Sequence, residues 1–165
     1  MKTLTSLLTT LALVLAPCLS FATDWTSVCS AGATIDETSL SRYAVNNASL
    51  AHRRGAVGVV TARYNVTNTA VPSTATPSWT TFELGYSDNS TTGSVVAILY
   101  AVNPCTGEIK PICRLESKDS EQPDCVFCEF PADTFDFSKH LYYIQVNVAR
   151  TKADVFPRAN TLRIY

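Results

Sequence analysis

The chain has 165 residues, with 13 Lys/Arg against 14 Asp/Glu, a formal net charge of −1, and only 16% charged residues. Arg53-Arg54 is its one basic pair, and nucleic-acid binding, which needs a basic stripe or face, is not expected. The low charged fraction and the abundance of Ser and Thr suit a β-rich exported protein.

The N-terminus carries the three parts of a secretory signal. Lys2 supplies the positive start, Leu7 to Ala16 the apolar run, and Ser20-Phe21-Ala22 the small residues of a cleavage site. Residues 1–22 are therefore predicted to be a cleavable signal peptide, leaving residues 23–165 as a single domain. The apolar run is roughly ten residues, too short for the about 20 a membrane-spanning helix needs. No later segment reads as a membrane span. Leu15-Ala16-Pro17-Cys18 has the outline of a lipobox, but Pro17 directly before the cysteine spoils it. Cleavage removes Lys2 and no acid, so the mature chain carries 12 Lys/Arg against 14 Asp/Glu, a net of −2.

Beyond the signal, short β-branched and aromatic runs of period two alternate with turn signals. Glu37 to Tyr43 could form one helical turn, and a weak strand is expected over Tyr43 to Ala51. Ala56 to Val66 is the first clear strand, followed by a Thr/Pro/Ser-rich loop over Thr67 to Ser78. Trp79 to Tyr86 is the next, with Phe82, Leu84 and Tyr86 on one face. Ser94 to Val102 is almost unbroken apolar text, which predicts a central strand buried on both faces. Asn103-Pro104-Cys105-Thr106-Gly107 turns the chain into Ile109 to Leu115. A charged loop, Glu116 to Asp124, leads to Cys125 to Phe130. Leu141 to Arg150 and Thr161 to Tyr165 close the chain. About eight strands at this spacing predict an antiparallel β-sandwich, either immunoglobulin-like or of the jelly-roll or Greek-key type. Phe135-Asp136-Phe137 ahead of Leu141-Tyr142-Tyr143 resembles a tyrosine corner and favours the immunoglobulin-like variant.

Six cysteines are encoded, but Cys18 falls in the signal. In an oxidising compartment the remaining five permit two bridges and one leftover thiol. Cys113 and the Cys125/Cys128 pair flank the charged loop, so a bridge across it is easy to build, and Cys105 could take the other member. Cys29 is then the candidate unpaired thiol. Cys125-Val126-Phe127-Cys128 has redox spacing, yet Asp124 and Glu129 beside it would raise the thiol pKa instead of lowering it. Zinc would need a second C-x-x-C knuckle.

No catalytic, metal or cofactor site is predicted. His52 and His140 read as loop residues, and no H-E-x-x-H, G-x-S-x-G or phosphate-loop motif is present. Carboxylates such as Asp24, Asp36, Asp88, Asp133 and Asp136 scatter over loops without a spacing that selects a pair. Three sequons, at Asn47, Asn65 and Asn89, are what the Asn and Ser/Thr content yields by chance. Trp25, Trp79 and Tyr143 are candidate aromatic platforms for a sugar or a partner protein, with a core or edge-covering role the more ordinary reading of each.

The stretches Val60–Asn68, Trp79–Leu84, Tyr142–Arg150 and Leu162–Tyr165 together resemble a group of uncharacterised exported bacterial proteins. The resemblance implies a secreted or periplasmic β-sandwich and brings no catalytic residues. It also implies that position 64 is one where similar chains carry a cysteine, so that Cys29 would have lost its partner. The expected role is a non-catalytic binding or surface-interaction module, with carbohydrate or a cell-surface protein as partner. The rivals are a carbohydrate-active or other hydrolase using loop carboxylates and a structural subunit of a surface assembly. Intact mass of the exported protein should correspond to a chain beginning at Thr23. A mass that retains residues 1–22 would contradict the export reading.

Overall fold

In the computed structural model, which describes residues 21–71 and 76–165, the period-two text becomes two antiparallel sheets packed face to face. The signal segment before Phe21 and positions 72–75 of the predicted loop lie outside the described residues. The first sheet contains β3 (Ala33–Ile35), β6 (Gly58–Val66), β9 (Gly93–Val102), β10 (Ile109–Glu116) and β12 (Leu141–Arg150). The second contains β2 (Trp25–Val28), β4 (Tyr43–Asn46), β5 (Ser49–His52), β8 (Thr81–Ser87), β11 (Asp124–Glu129) and β13 (Arg158–Ile164). A two-residue pair, β1 (Phe21–Ala22) with β7 (Ala70–Val71), stands apart, and β1 is the end of the predicted signal segment.

Strand pairing decides between the two expected architectures. β9 pairs β10, β8 pairs β11, β6 pairs β12, and β5 pairs β13. These nested pairs alternate between the sheets, giving β10-β9-β12-β6-β3 and β11-β8-β13-β5-β4. That is the jelly-roll order, a long hairpin wrapped on itself. The immunoglobulin-like variant is not what forms. The tyrosine corner nonetheless exists as a local device: the Tyr142 hydroxyl donates to the Thr134 carbonyl at 3.2 Å and accepts from the Asp136 amide at 2.7 Å. Its geometry arises wherever a Tyr enters a strand just after a tight turn, so it does not specify the topology.

Inward residues of both sheets form one core. Val60, Ala62, Tyr64, Val95, Ala97, Leu99, Tyr142, Ile144, Val146 and Val148 face Leu50, Phe82, Leu84, Tyr86, Ala159, Leu162 and Ile164. At one end the aromatics cluster: Phe135 lies 5.0 Å from Trp79 and 4.7 Å from Tyr142 between ring centroids. Asn160, at an irregularity in β13, divides that strand's far edge between two short partners. Its carbonyl accepts from Cys29 N at 2.9 Å, and its side chain bonds Ser49 and Ser87. β5 therefore pairs with Arg158 and Ala159, and β2 with Thr161 to Ile164. The expected single strand at 43–51 is a hairpin, turned at Asn47 with φ 53°. The expected helical turn is a short 3-10 turn, Glu37–Ser39, capped by Asp36.

The other end of the core holds two charged or titratable groups. Arg150, 2% exposed, donates to the carbonyls of Ala56 (2.6 Å), Val155 (2.7 Å) and Arg53 (2.8 Å). His52, expected in a solvated turn, is buried, because β5 carries it inward. Its Nε2 donates to the Gly58 carbonyl at 2.9 Å, which leaves Nδ1 of the neutral ring an acceptor without a partner. Burial first, then the Arg150 and Arg42 charges, hold its pKa below the ordinary 6.5, against the opposing pull of the Gly58 carbonyl.

A disulfide joins Cys113 in β10 to Cys128 in β11, with Cα atoms 6.6 Å apart. It links the edge strand of one sheet to the edge strand of the other, across the loop that connects them. Removing it (Cys113→Ser with Cys128→Ser) frees a loop of sequence separation 15 and should cost about 3 kcal/mol in chemical denaturation. A loss below about 1 kcal/mol would show that the staple is superfluous. The His52 shift sets a pH dependence with a definite sign. Its folded pKa lies below the unfolded value, so its contribution is intact above about pH 6.5 and fades as pH falls through the folded pKa. Urea midpoints should therefore drop between about pH 7 and about pH 5.5, and His52→Gln should flatten that slope. An unchanged slope in the variant would assign the dependence elsewhere.

Candidate functional site

The five cysteines of the predicted domain divide by strand parity. Residues i and i+3 of a strand point to opposite faces, so Cys128 turns inward to meet Cys113 while Cys125 turns out and cannot pair with it. Cys105 and Cys125 are exposed free thiols, and the second bridge expected among the four candidates is absent from the described residues. Cys125 is held above its ordinary pKa by partial burial and then by the Glu83 and Asp124 carboxylates, which is the wrong direction for a redox nucleophile. Cys29 is a buried free thiol, pushed up to about 12 by burial. Tyr64 sits against it, and its hydroxyl donates to the Cys29 carbonyl at 2.5 Å.

Two of the three candidate aromatic platforms are core residues. Trp25 is 7% and Trp79 2% exposed, and Trp79 Nε1 donates to the Thr23 carbonyl at 3.1 Å. Trp25 opens β2 on its buried side, and Trp79, ahead of β8, packs against Phe135 with ring centroids 5.0 Å apart, so neither ring is free to offer a face. Tyr143 is different. Its neighbour Tyr142 faces the core, so Tyr143 stands on the outer face of the first sheet. There it meets Tyr100, directly opposite on β9, with ring centroids 5.0 Å apart and planes at 22°.

Register assembles the rest of this face. One row across the strands reads Pro111, Tyr100, Tyr143, Asn65. The next reads Arg114, Ile98, Gln145, Arg63, and the third Glu116, Val96, Asn147, Thr61. Rows lie about 7 Å apart along the strands and neighbours about 4.8 Å apart across them. The outer side of β9 is thus half-buried at Ile98 and Tyr100 instead of fully covered, so the expectation of a strand buried on both faces is corrected. Some of the polar groups are already engaged: Thr61 Oγ1 donates to Asn147 Oδ1 at 2.9 Å, and Arg63 pairs with Asp36 at 3.1 Å. Arg63, with Thr38 after it, holds the Asp36 carboxyl below its ordinary range. Gln145 and Asn65 form no side-chain hydrogen bond among the described residues, and no described element covers the face. Asn65, one of the three sequon positions, lies within it, while Asn47 and Asn89 are exposed elsewhere.

Loop carboxylates are mostly engaged. Asp24 pairs with Arg163 at 2.7 Å and Asp136 with Lys139 at 2.7 Å, and buried Asp88 accepts from Ser117 Oγ at 2.6 Å. No group of three or more His, Cys, Asp or Glu side chains converges to hold a metal ion among the described residues. Nor is any described helix long and apolar enough to cross a membrane.

No protein-family model matches the sequence, and no curated protein matches it in a sequence search. Solved structures align with it at low identity and with TM-scores below 0.5. A xylan-binding module, CBM15, aligns over 87% of this chain and 96% of its own, at 10% identity and a TM-score of 0.49. A family two carbohydrate esterase from Cellvibrio japonicus aligns over 87% of this chain at 12% identity and a TM-score of 0.46. The alignment spans about a third of that esterase, 33% of its length.

Proposed function

We propose that this protein is an exported, non-catalytic carbohydrate-binding module that holds a glycan chain along the outer face of its first sheet. The observation that carries the reading is the Tyr100–Tyr143 pair on the adjacent inner strands β9 and β12, in a face of Ile98, Gln145, Asn65 and two arginines. A sugar ring is amphipathic: its C–H face needs an apolar or aromatic surface, and its equatorial hydroxyls need directional donors and acceptors. The tyrosines and Ile98 supply the first requirement, and the unengaged amides of Gln145 and Asn65 supply the second. Placement on strands, not loops, means little ordering entropy is lost on binding. A disulfide between the sheet edges and the N-terminal signal pattern support an extracytoplasmic setting, secreted or periplasmic. The strand text that resembles exported bacterial proteins fits the same setting.

Affinity electrophoresis in gels containing soluble neutral polysaccharides (a β-glucan, a xylan, a mannan) tests the reading. At least one polymer should retard the protein, and Tyr143→Ala should weaken that binding about tenfold, or about 1.4 kcal/mol. Phe127→Ala, an exposed ring on the other sheet, should leave it unchanged. Retardation by none of the polymers, or equal loss in both variants, would overturn the assignment.

A further inference from the structure

At the end of the sandwich opposite the aromatic cluster, a pocket of about 350 Å³ opens beside the two buried groups, His52 and Arg150. That volume lies at the small end of the roughly 300–1,000 Å³ typical of small-ligand sites and suits a single ring. Its charge is one-sided. Arg54, Arg150 and Arg158 line it, and no Asp or Glu does. Arg42 and Arg53 lie close by: the Arg42 side chain packs 3.8 Å from where a Gly58 Cβ would stand, and Arg53 gives its carbonyl to Arg150.

None of these five arginines has a carboxylate within ion-pair distance among the described residues, whereas Arg63, Arg114 and Arg163 all do. The unpaired guanidinium groups of the described chain are thus gathered at one end. Arg150 is also nearly sealed from water, and carbonyl dipoles solvate it without cancelling its charge. Such an excess of unpaired cations favours an anion, most strongly on the Arg54 and Arg150 side, since Arg158 and Phe156 also border a neighbouring pocket lined by Asp88 and Glu121.

The remaining lining says what should carry the anion. Phe156 is 54% exposed, with Arg150 5.4 Å beneath its ring, and Ala51 and Pro157 add apolar surface. A flat apolar wall beside a cationic one fits a ring bearing a carboxylate, which planar guanidinium groups bind in bidentate fashion. His52 adds a third requirement. Its Nδ1 is a buried acceptor without a partner, and a bare buried acceptor costs about 1–3 kcal/mol. A hydroxyl on the same ring would satisfy it once the lining shifts to open Nδ1, which is sealed from solvent in the structure.

From the uncompensated arginines, the exposed Phe156 and the unpartnered His52, we propose that this pocket binds a hydroxylated ring acid of the size of one hexuronate. The carboxylate lies on Arg54 and Arg158, and the ring lies on Phe156. This site is separate from the tyrosine face and does not rest on it.

Isothermal titration of the full exported chain with glucuronate, glucose and cyclohexanecarboxylate reads each element in turn. Glucuronate should bind at least about tenfold more tightly than glucose, which has the ring without the carboxylate. It should also bind more tightly than cyclohexanecarboxylate, which has the carboxylate without the hydroxyls. Arg54→Ala with Arg158→Ala, both on the surface and outside the core, should weaken glucuronate about tenfold or more, and added salt should weaken it further. Phe127→Ala serves as the control. Equal binding of the two carboxylates would reassign the pocket to small organic acids and overturn the sugar. No binding of either, or binding indifferent to the double variant, would overturn the site altogether. Neutral-polysaccharide retardation, measured on the same arginine variant, should stay at the wild-type level, so failure here and failure of the tyrosine face are told apart.

Discussion

Arg150 is the constraint around which one end of the molecule is built. A guanidinium at the inner end of β12 cannot be left dry and unbonded, since an unsolvated buried charge costs several kcal/mol. The chain meets this demand without a carboxylate. Carbonyls of Arg53 and Ala56, from the segment between β5 and β6, and of Val155, from the segment between β12 and β13, converge on it instead. Both segments cross from one sheet to the other, so one side chain in the first sheet fixes how the chain passes to and from the second. His52 is drawn into the same joint, because the Gly58 carbonyl that anchors its ring lies at the start of β6. A carboxylate in place of the carbonyls would have held the turns as well but would have neutralised the charge. Carbonyl solvation keeps the field, and the unpaired arginines around it add to that field.

The far end is clamped by different physics. There the Trp79 ring packs edge to face on Phe135 and Phe137, Phe135 stacks on Phe137 and tilts against Tyr142, and Tyr142 ties its hydroxyl to the turn that delivers it. At the edge, the Cys113–Cys128 bridge joins strands that belong to opposite sheets. With both ends and one edge closed, the middle of the first sheet can stay regular and hydrogen-bonded on both sides of β12. Regularity is what a binding face on a sheet requires, since side chains in register keep their spacing without help from loops.

Strand positions were largely legible because period-two text survives wherever one face is buried: β12 spans Leu141–Arg150, as read, and β6, β8, β9, β10 and β11 differ from expectation by a residue or two. β2 and β3 were not, being only four and three residues long (Trp25-Thr26-Ser27-Val28 and Ala33-Thr34-Ile35), with pairing set by β13 and β6 instead of by their own pattern. Topology was not legible either. Eight alternating strands fit several Greek keys, and the tyrosine corner, being local, misdirected the choice. The same alternation held two signals that went unused. Carried past Tyr142, Ile144, Val146 and Val148, it lands Arg150 on the inner face. Applied to Cys125 and Cys128, it sends them to opposite faces and dissolves the C-x-x-C. Tyr143 could be placed outside by this parity, but Tyr100 could not join it until the register of β9 against β12 was known. Trp25 and Trp79 went inward because aromatic residues at strand ends look alike whether they close a core or decorate a surface.

The two proposed binding regions lie at opposite ends of one strand. Tyr143 and Arg150 are seven residues apart on β12, about 23 Å along its axis, and their odd separation puts them on opposite faces. No single sugar ring can bridge that span. The sheet face is neutral in its centre and open along its length, which suits a chain whose units are read by repetition. The pocket is cationic and, at about 350 Å³, small, which suits a terminal or branching unit read by its charge. A polymer that is mostly neutral and carries sparse acidic rings presents both features at separations its own backbone can adjust. Binding at the two places would then be linked through the ligand, with an effective local concentration that neither site supplies by itself. Such linkage needs no movement of the protein, and it would make a weak face and a small pocket selective together.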